Sequence, residues 1–218
     1  MRFRGYILDL DGTIYLGPRM IDGAAATVRA LRERGAKVCF LSNKPIESRA
    51  RYAEKLRGFG IAADLESVVN SSYVMARYLA GRDPGAPVYV IGEPAVRHGA
   101  RMLATNPDRT CPTEAGEVPD AAGMIGAVEG VTDRKVEVVV GKPSRIMLDV
   151  ALERLGLPAA ACLMVGDRLE TDVTMGRAAG MPTALVLTGV TRREDLASAP
   201  VRPDYVLESI RDLLALDP

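Results

Sequence analysis

Histidine is nearly absent from this sequence: His98 is the single one in 218 residues. That argues against metal or acid–base chemistry built on several imidazoles. Cysteine is sparse too. Cys39, Cys111 and Cys162 are odd in number and far apart, and no C-x-x-C pair occurs, which argues against a disulfide framework or a zinc site. Net charge is zero, with 28 Lys and Arg against 28 Asp and Glu, so no basic excess marks a nucleic-acid footprint. No apolar run approaches the ~20 residues that cross a bilayer. The apolar run in "MRFRGYILDLDGT" is too short for a signal peptide and is broken by charge. A cytoplasmic protein without a nucleic-acid or membrane partner is expected. Neither tandem repeats nor low-complexity tracts occur.

What is present suits a packed soluble core: 48% of residues are apolar and 26% charged. The length fits one large domain, or one domain with a smaller insert. Short β-like apolar runs alternate with helical stretches. "YILDL", "AKVCFLS", "ESVVNS", "VEVVVG", "ACLMVG", "PTALVLTG" and "DYVLES" read as strands. "GAAATVRALRER", "IESRARYAEKLRGFG", "SYVMARYLAG", "SRIMLDVALERLG", "ETDVTMGRAAG", "REDLASA" and "SIRDLLAL" read as helices, the second with Pro45 at its start. Near-continuous apolar strands alternating with helices predict an α/β fold, a doubly wound and mostly parallel sheet covered on both faces. Residues 82–134 break the rhythm with many prolines and glycines. Only "PVYVIG", "ARMLAT" and "MIGAVEGV" look regular there. A structureless loop of that length is uncommon, so residues 82–134 read as a small inserted domain, and residues 1–81 and 135–218 as the core.

Ligands of such sheets sit at the carboxyl ends of the strands. Asp9 and Asp11 follow the first strand. Ser42, Asn43 and Lys44 follow the second. Gly141, Lys142, Pro143 and Ser144 follow "VEVVV", and Gly166, Asp167 and then Asp172 follow "CLMV". Four strand ends thus deliver carboxylates, a hydroxyl and a lysine to one edge. Clustered carboxylates repel unless a cation joins them, and oxygen-only ligands suit Mg²⁺ with positions left for water and phosphate oxygens. An aspartate can be a phosphoryl-accepting nucleophile, and a second carboxyl two residues on can be general acid and then base. Each piece alone has a plainer reading, as a solvated carboxylate, a turn residue or a helix cap. The order and the placement of all four together point to chemistry.

Rival motifs fail. "DLDGTI" departs from the EF-hand pattern, "GKPS" lacks the upstream glycine of a P-loop, and no G-x-G-x-x-G occurs. "CLMVGDR" has the C-x5-R spacing of cysteine phosphatases. Arginine is abundant in this chain, however, and Cys162 opens an apolar strand, where burial raises a thiol's pKa.

"DLDGT", the Ser42–Asn43 pair, "GKPS" and "VGDRLETD" resemble the four motifs of the haloacid dehalogenase superfamily. "DLDGTIYLG", "FLSNKPIESR" and "ATNPDRTCPTEAGEVPDAAGMIGAVEGVTDR" are similar to its phosphatase branch typified by NagD and the para-nitrophenyl phosphatases. The resemblance spans almost the whole chain. It implies a Rossmann-like core with an inserted cap, and Mg²⁺-dependent hydrolysis of small phosphate monoesters through an aspartyl-phosphate. Asp9 would be the nucleophile. Asp11 would protonate the leaving oxygen and later activate water. The Asp9 carboxylate, the Asp11 main-chain carbonyl and Asp167 would hold Mg²⁺, with Asp172 orienting metal-bound waters rather than touching the metal. Ser42 and Asn43 would bind the phosphoryl group, and Lys142 would offset its charge. The resemblance also implies that the family's intervening cap segments are missing around residues 96–98, leaving a shortened cap over a more open site. A phosphotransferase or mutase of the same superfamily, and a catalytically weak phospho-ligand binder, are the alternatives. The substrate is open among sugar phosphates, phosphoglycolate, pyridoxal phosphate and nucleoside monophosphates. A homodimer is open as well, since in this branch the cap often makes the dimer contact.

Overall fold

The structure, a computed structural model, describes residues 2–88, 100–113 and 116–216. In chain order its strands are β1 (Gly5–Asp9), β2 (Tyr15–Leu16), β3 (Arg19–Met20), β4 (Lys37–Ser42), β5 (Val68–Asn70) and β6 (Leu103–Ala104), then β7 (Thr110–Thr113), β8 (Gly116–Pro119), β9 (Val138–Val139), β10 (Cys162–Gly166), β11 (Thr183–Val186) and β12 (Tyr205–Leu207). The helices are α1 (Ala24–Glu33), α2 (Arg49–Gly58), α3 (Ser71–Arg82), α4 (Ala121–Thr132), α5 (Arg145–Leu155), α6 (Thr174–Ala178) and α7 (Leu213–Leu216).

Six strands form one parallel sheet in the order β12-β11-β10-β1-β4-β5. The chain winds outward from β1 through β4 to β5, then returns to the other side of β1 for β10, β11 and β12. The direction of winding therefore reverses between β1 and β10, and the crevice outside the carboxyl ends there is where open α/β sheets bind ligands. Alternation splits each strand between two cores. Tyr6, Leu8, Phe40, Leu163 and Val165 face a cluster with α1 and α2, while Ile7, Leu41, Val69 and Met164 face one with α5. Burial on both faces accounts for the near-continuous apolar runs. Among the described residues, no helix is long and apolar enough to cross a membrane.

Three sequence expectations are corrected. "VEVVVG" does not join the main sheet: only Val138 and Val139 form a strand, and they pair with Leu103 and Ala104 in a separate two-stranded ladder. The glycine after it permits the close packing that follows. A side-chain carbon at Gly141 would stand 2.3 Å from the Thr105 carbonyl, so the backbone here packs directly on residues 104–106. The second helix starts at Arg49 and not at Pro45, because the Ser48 hydroxyl caps it by accepting from the Arg51 N–H at 3.3 Å. "ETDVTMGRAAG" is a π-helical turn, Leu169–Val173, followed by the short α6. Of the regular stretches read in 82–134, "MIGAVEGV" lies in α4 and "ARMLAT" contains β6. "PVYVIG" and the missing segment around residues 96–98 fall largely or wholly outside the described residues.

Candidate active site

The register lines up the strand ends. Asp9 pairs with Leu41 on β4, Leu8 with Val165 on β10, and Ser42 with Asn70 on β5. Asp9, Ser42 and the residue after Gly166 are thereby brought to one edge. Gly12 then turns the chain with φ +85, and a side chain there would strike the Asp167 carboxylate 2.5 Å away, so both conformation and space require glycine. The turn leads into the β2–β3 hairpin. Lys142 arrives from the β6–β9 ladder with its ammonium buried, 2.5 Å from Asp9 Oδ1 and 2.7 Å from Asp172 Oδ1. One carboxylate oxygen from each of Asp9, Asp167 and Asp172 lies within 4.8 Å of the others, all three residues being buried.

Three buried carboxylates against one ammonium leave an excess of negative charge. Burial, together with the Asp172 and Asp167 charges, pushes the Asp9 carboxyl well above the usual carboxylate range, although Lys142 pulls it down. Burial and Asp172 likewise push Asp167 up to about 7. Burial opposes the Lys142 charge, but Asp172 and Asp9 outweigh it and hold its pKa above the ordinary value. The donor set therefore fits a hard divalent cation: it is all oxygen, it is too negative for its lysine alone, and it is closely packed. A side-chain carbon at Gly189 would come within 2.0 Å of Asp167 Oδ2, while the Val190 N–H donates to that oxygen at 2.7 Å and fixes its direction. Both Asp172 oxygens are already engaged, one by Lys142 and the other by the Arg168 N–H at 3.2 Å.

Two family models match the chain. "Haloacid dehalogenase-like hydrolase" covers residues 6–105 and a HAD-hydrolase-like model covers residues 139–213. The sugar-phosphatase AraL of Bacillus subtilis is 37% identical, over 97% of this chain and 92% of its own. The chain belongs to the haloacid dehalogenase-like hydrolases. The 5′-nucleotidase YutF of the same organism is 33% identical, over 96% of this chain and 97% of its own. The crystal structure of 4-nitrophenylphosphatase from Thermotoga maritima superposes with a TM-score of 0.93 at 30% identity, covering 98% of this chain and 97% of that one. This hydrolase therefore sits in the NagD and para-nitrophenyl phosphatase branch, and phosphoric monoester hydrolysis is its reaction class. The AraL alignment runs over 253 residues, longer than the whole of this chain, so part of that relative has no counterpart here.

The residues to which the sequence assigns chemistry in the phosphatase reading lie at this edge of the hydrolase. Asp9, Asp11, Ser42, Asn43, Lys142 and Asp167 line a cavity of about 30 Å³, and Asp172 stands behind it on Lys142. Sequence reasoning missed what braces them. The Asn43 side chain accepts from the Lys142 N–H at 2.6 Å, donates to the Lys142 carbonyl at 3.2 Å, and donates to Asp108 Oδ2 at 2.9 Å. Asn106, fully buried, donates to the same Asp108 oxygen at 3.2 Å. Asn43 thus pins the lysine loop to β4 across 99 residues of sequence. Local patterning carries no signal for such a pair; the polar "TNPD" segment inside an otherwise apolar ladder is the only hint. Lys44, placed at the second strand's end by the sequence, is given no role there. Its ammonium sits 2.7 Å from Asp11 Oδ1, and despite half-burial Asp11 holds its pKa above the ordinary lysine value. Arg168 ties the site to the β7 strand by donating to the Thr110 carbonyl at 2.9 Å.

The brace predicts a stability effect. Asn43→Ala leaves the buried Lys142 N–H unpaired and should cost about 2–3 kcal/mol. A thermal melt should fall by several degrees, and an unchanged melting temperature would show that the network carries no weight.

Proposed function

We propose that this hydrolase removes phosphate from small-molecule monoesters in a Mg²⁺-dependent reaction that passes through phosphorylated Asp9. The observation that carries the reading is the Lys142 ammonium held between Asp9 and Asp172, beside the carboxylate oxygens of Asp9, Asp167 and Asp172. In the proposed reaction an Asp9 oxygen attacks phosphorus and the ester P–O bond breaks. The leaving oxygen takes its proton from the Asp11 carboxyl. Asp11, now ionised, takes a proton from water as that water attacks phosphorus, which frees Asp9 and inorganic phosphate. Lys142 offsets the charge on the phosphoryl oxygens and the Ser42 hydroxyl orients them; the Asn43 side chain, expected from the sequence to bind phosphate, is spent on Lys142 and Asp108 and acts by holding the lysine loop.

Mg²⁺ would be held by the Asp9 carboxylate, the Asp11 main-chain carbonyl and Asp167, and would supply electrostatic stabilisation of the transferring phosphoryl group. Asp172 would act through Lys142 and through waters rather than as a ligand; its two engaged oxygens support that assignment. Residues 82–134 would be the cap, shortened relative to the family, with β6, β7, β8 and α4 as its described elements. The physical substrate class is small esters, with the protein working in the cytoplasm. Para-nitrophenyl phosphate turnover with and without Mg²⁺ tests the proposal: turnover should require the metal, and turnover that survives full chelation would sink it.

Cysteine chemistry takes no part in this reading. Burial pushes the Cys162 thiol up to about 11 and the Cys39 thiol up to about 12, the reverse of nucleophile activation. The sequence suggests that a thiol reagent should have little effect, and here the structure differs, because half-exposed Cys111 lines the cavity beside Lys44. Alkylation should therefore block turnover by filling the cavity. Cys111→Ser should turn over ester and resist the reagent; a variant that stays sensitive would return suspicion to Cys162.

A further inference from the structure

We propose that the cleft on the far side of Asp11 takes a neutral polyhydroxy alcohol, and that phospho-Asp9 passes its phosphoryl group to that alcohol as well as to water. The inference rests on the phosphatase reading of the neighbouring cavity and adds a transfer activity to it. That cavity, at about 30 Å³, has room for little more than an ion and water or a phosphoryl group. The adjoining cleft, at about 350 Å³, lies between β2 and the start of α2, and is within the range of small-molecule sites. Asp11 and Lys44 line both. An alcohol protonated by Asp11 as it leaves therefore has the larger cleft beside it, and a group placed to protonate a departing alcohol is placed to deprotonate an entering one. In the transfer step the alcohol oxygen attacks phosphorus while the bond from phosphorus to the Asp9 oxygen breaks. The alcohol proton passes to ionised Asp11. Asp9 is freed as a carboxylate, Asp11 is left protonated as at the start of the cycle, and the product is a new phosphate monoester.

The charges of the cleft decide which alcohol it takes. Lys44, Arg51 and Lys55 stand against Asp11, Glu47 and Glu54, so the lining is neutral. Its charged groups are also engaged. Lys44 is 2.7 Å from Asp11, and Arg51 is 2.6 Å from Glu54 and 3.9 Å from Glu47. The Lys55 ammonium rests 3.5 Å from the centre of the Tyr15 ring and donates to the Gly17 carbonyl at 2.8 Å. An alcohol bearing a carboxylate or a second phosphate would give up hydration there and gain no spare positive charge. A hydroxyl carries no charge, and it both donates and accepts, so it fits among paired ions without unbalancing them. Arg51 and Glu47 are exposed, and their separation is too long for a hydrogen bond, which leaves a place for a hydroxyl to bridge them. An alcohol with several hydroxyls uses several such partners; a simple alkanol has only the hydroxyl that reacts.

The competing account makes the cleft a solvated groove, with water the sole acceptor. Partitioning separates the two. With para-nitrophenyl phosphate as donor and Mg²⁺ present, para-nitrophenol counts the phosphoryl groups taken up, and inorganic phosphate counts those given to water. An alcohol without a site, at about 1 M against about 55 M water, should capture about one group in fifty, whereas a bound alcohol gains from positioning. Glycerol at about 1 M should therefore leave phosphate about a fifth or more short of para-nitrophenol, with the deficit recovered as glycerol phosphate. Propan-1-ol and glycerate should stay near the figure for an alcohol without a site. Glu47→Lys makes the lining positive, and should lower the glycerol share severalfold while raising that of glycerate. Arg51→Gln should lower the glycerol share as well. Equal para-nitrophenol and phosphate at every glycerol concentration overturns the proposal and leaves the phosphatase reading standing. No release of para-nitrophenol brings both down. Propan-1-ol or glycerate accepting as well as glycerol overturns the choice of a neutral polyol. A glycerol share unmoved in both variants overturns the cleft as its site.

Discussion

Asp9→Asn should lower turnover of para-nitrophenyl phosphate by more than about a thousandfold, the scale seen when a covalent nucleophile is removed. The amide keeps the shape of the carboxylate and loses its nucleophilic oxygen. Lys142 keeps a buried partner in Asp172, 2.7 Å away, so no charge is stranded. The loss should therefore come without loss of fold. The variant, free of metal at neutral pH, should melt no lower than wild type, because one of three mutually repelling carboxylates has gone. Turnover that persists in a correctly folded Asp9→Asn protein would remove Asp9 from the mechanism. The contrasting variant is Lys142→Ala, which leaves Asp9 and Asp172 unpaired in the interior and should lose about 3–5 kcal/mol of stability as well as activity.

The metal-free protein should lose stability as pH rises from about 4 to about 7. Asp9 and Asp167 hold protons in the folded state at pH values where the unfolded chain has released them, since both are raised, Asp167 to about 7. The folded state then binds more protons than the unfolded one across that interval. Its stability is greatest below the unfolded carboxylate range and falls until the folded value is passed. A shift of this size amounts to a few kcal/mol, on the scale of about 1.4 kcal/mol per pKa unit. Magnesium should reverse the trend near neutrality, because it favours the ionised carboxylates and binds only the folded site. Melting temperatures in chelator and in excess Mg²⁺, taken across pH 5 to 8, should diverge as pH rises. Asp167→Asn should shrink the divergence. Parallel curves in the two solutions would show that the carboxylate cluster holds no divalent ion.

Much of this arrangement is legible in the sequence, and the reasons are local. β1, β4, β10 and β11 are apolar on both faces, so each shows as an unbroken run, and the polar residues after the first three stand out against it. The shorter elements are less legible. The β2–β3 hairpin has two residues on each side, too few for any periodicity. β9 reads as a core strand because "VEVVV" has a strand's composition, yet composition cannot say which neighbour a strand pairs with. Lys44 has its strand-end place in the sequence but no role there: a lysine in a turn is ordinarily a solvated one, and it is the pairing of β1 with β4 that sets Asp11 beside its ammonium.

The sequence by itself determined the fold class and which side chains could carry the chemistry, because strand burial and strand-end placement are written in nearest-neighbour patterns. Tertiary structure alone decided how those side chains are held. Lys142 lies between Asp9, 133 positions away, and Asp172, 30 positions away, and Asn43 locks the lysine loop across 99 positions. The bare Gly141 backbone lets that loop pack directly on Thr105, beside the β6–β9 ladder. Lys55 meets the buried Tyr15 only when α2 packs on the β2–β3 turn. Each is a packing contact between distant segments, and its strength depends on burial that exists only once both segments have left water.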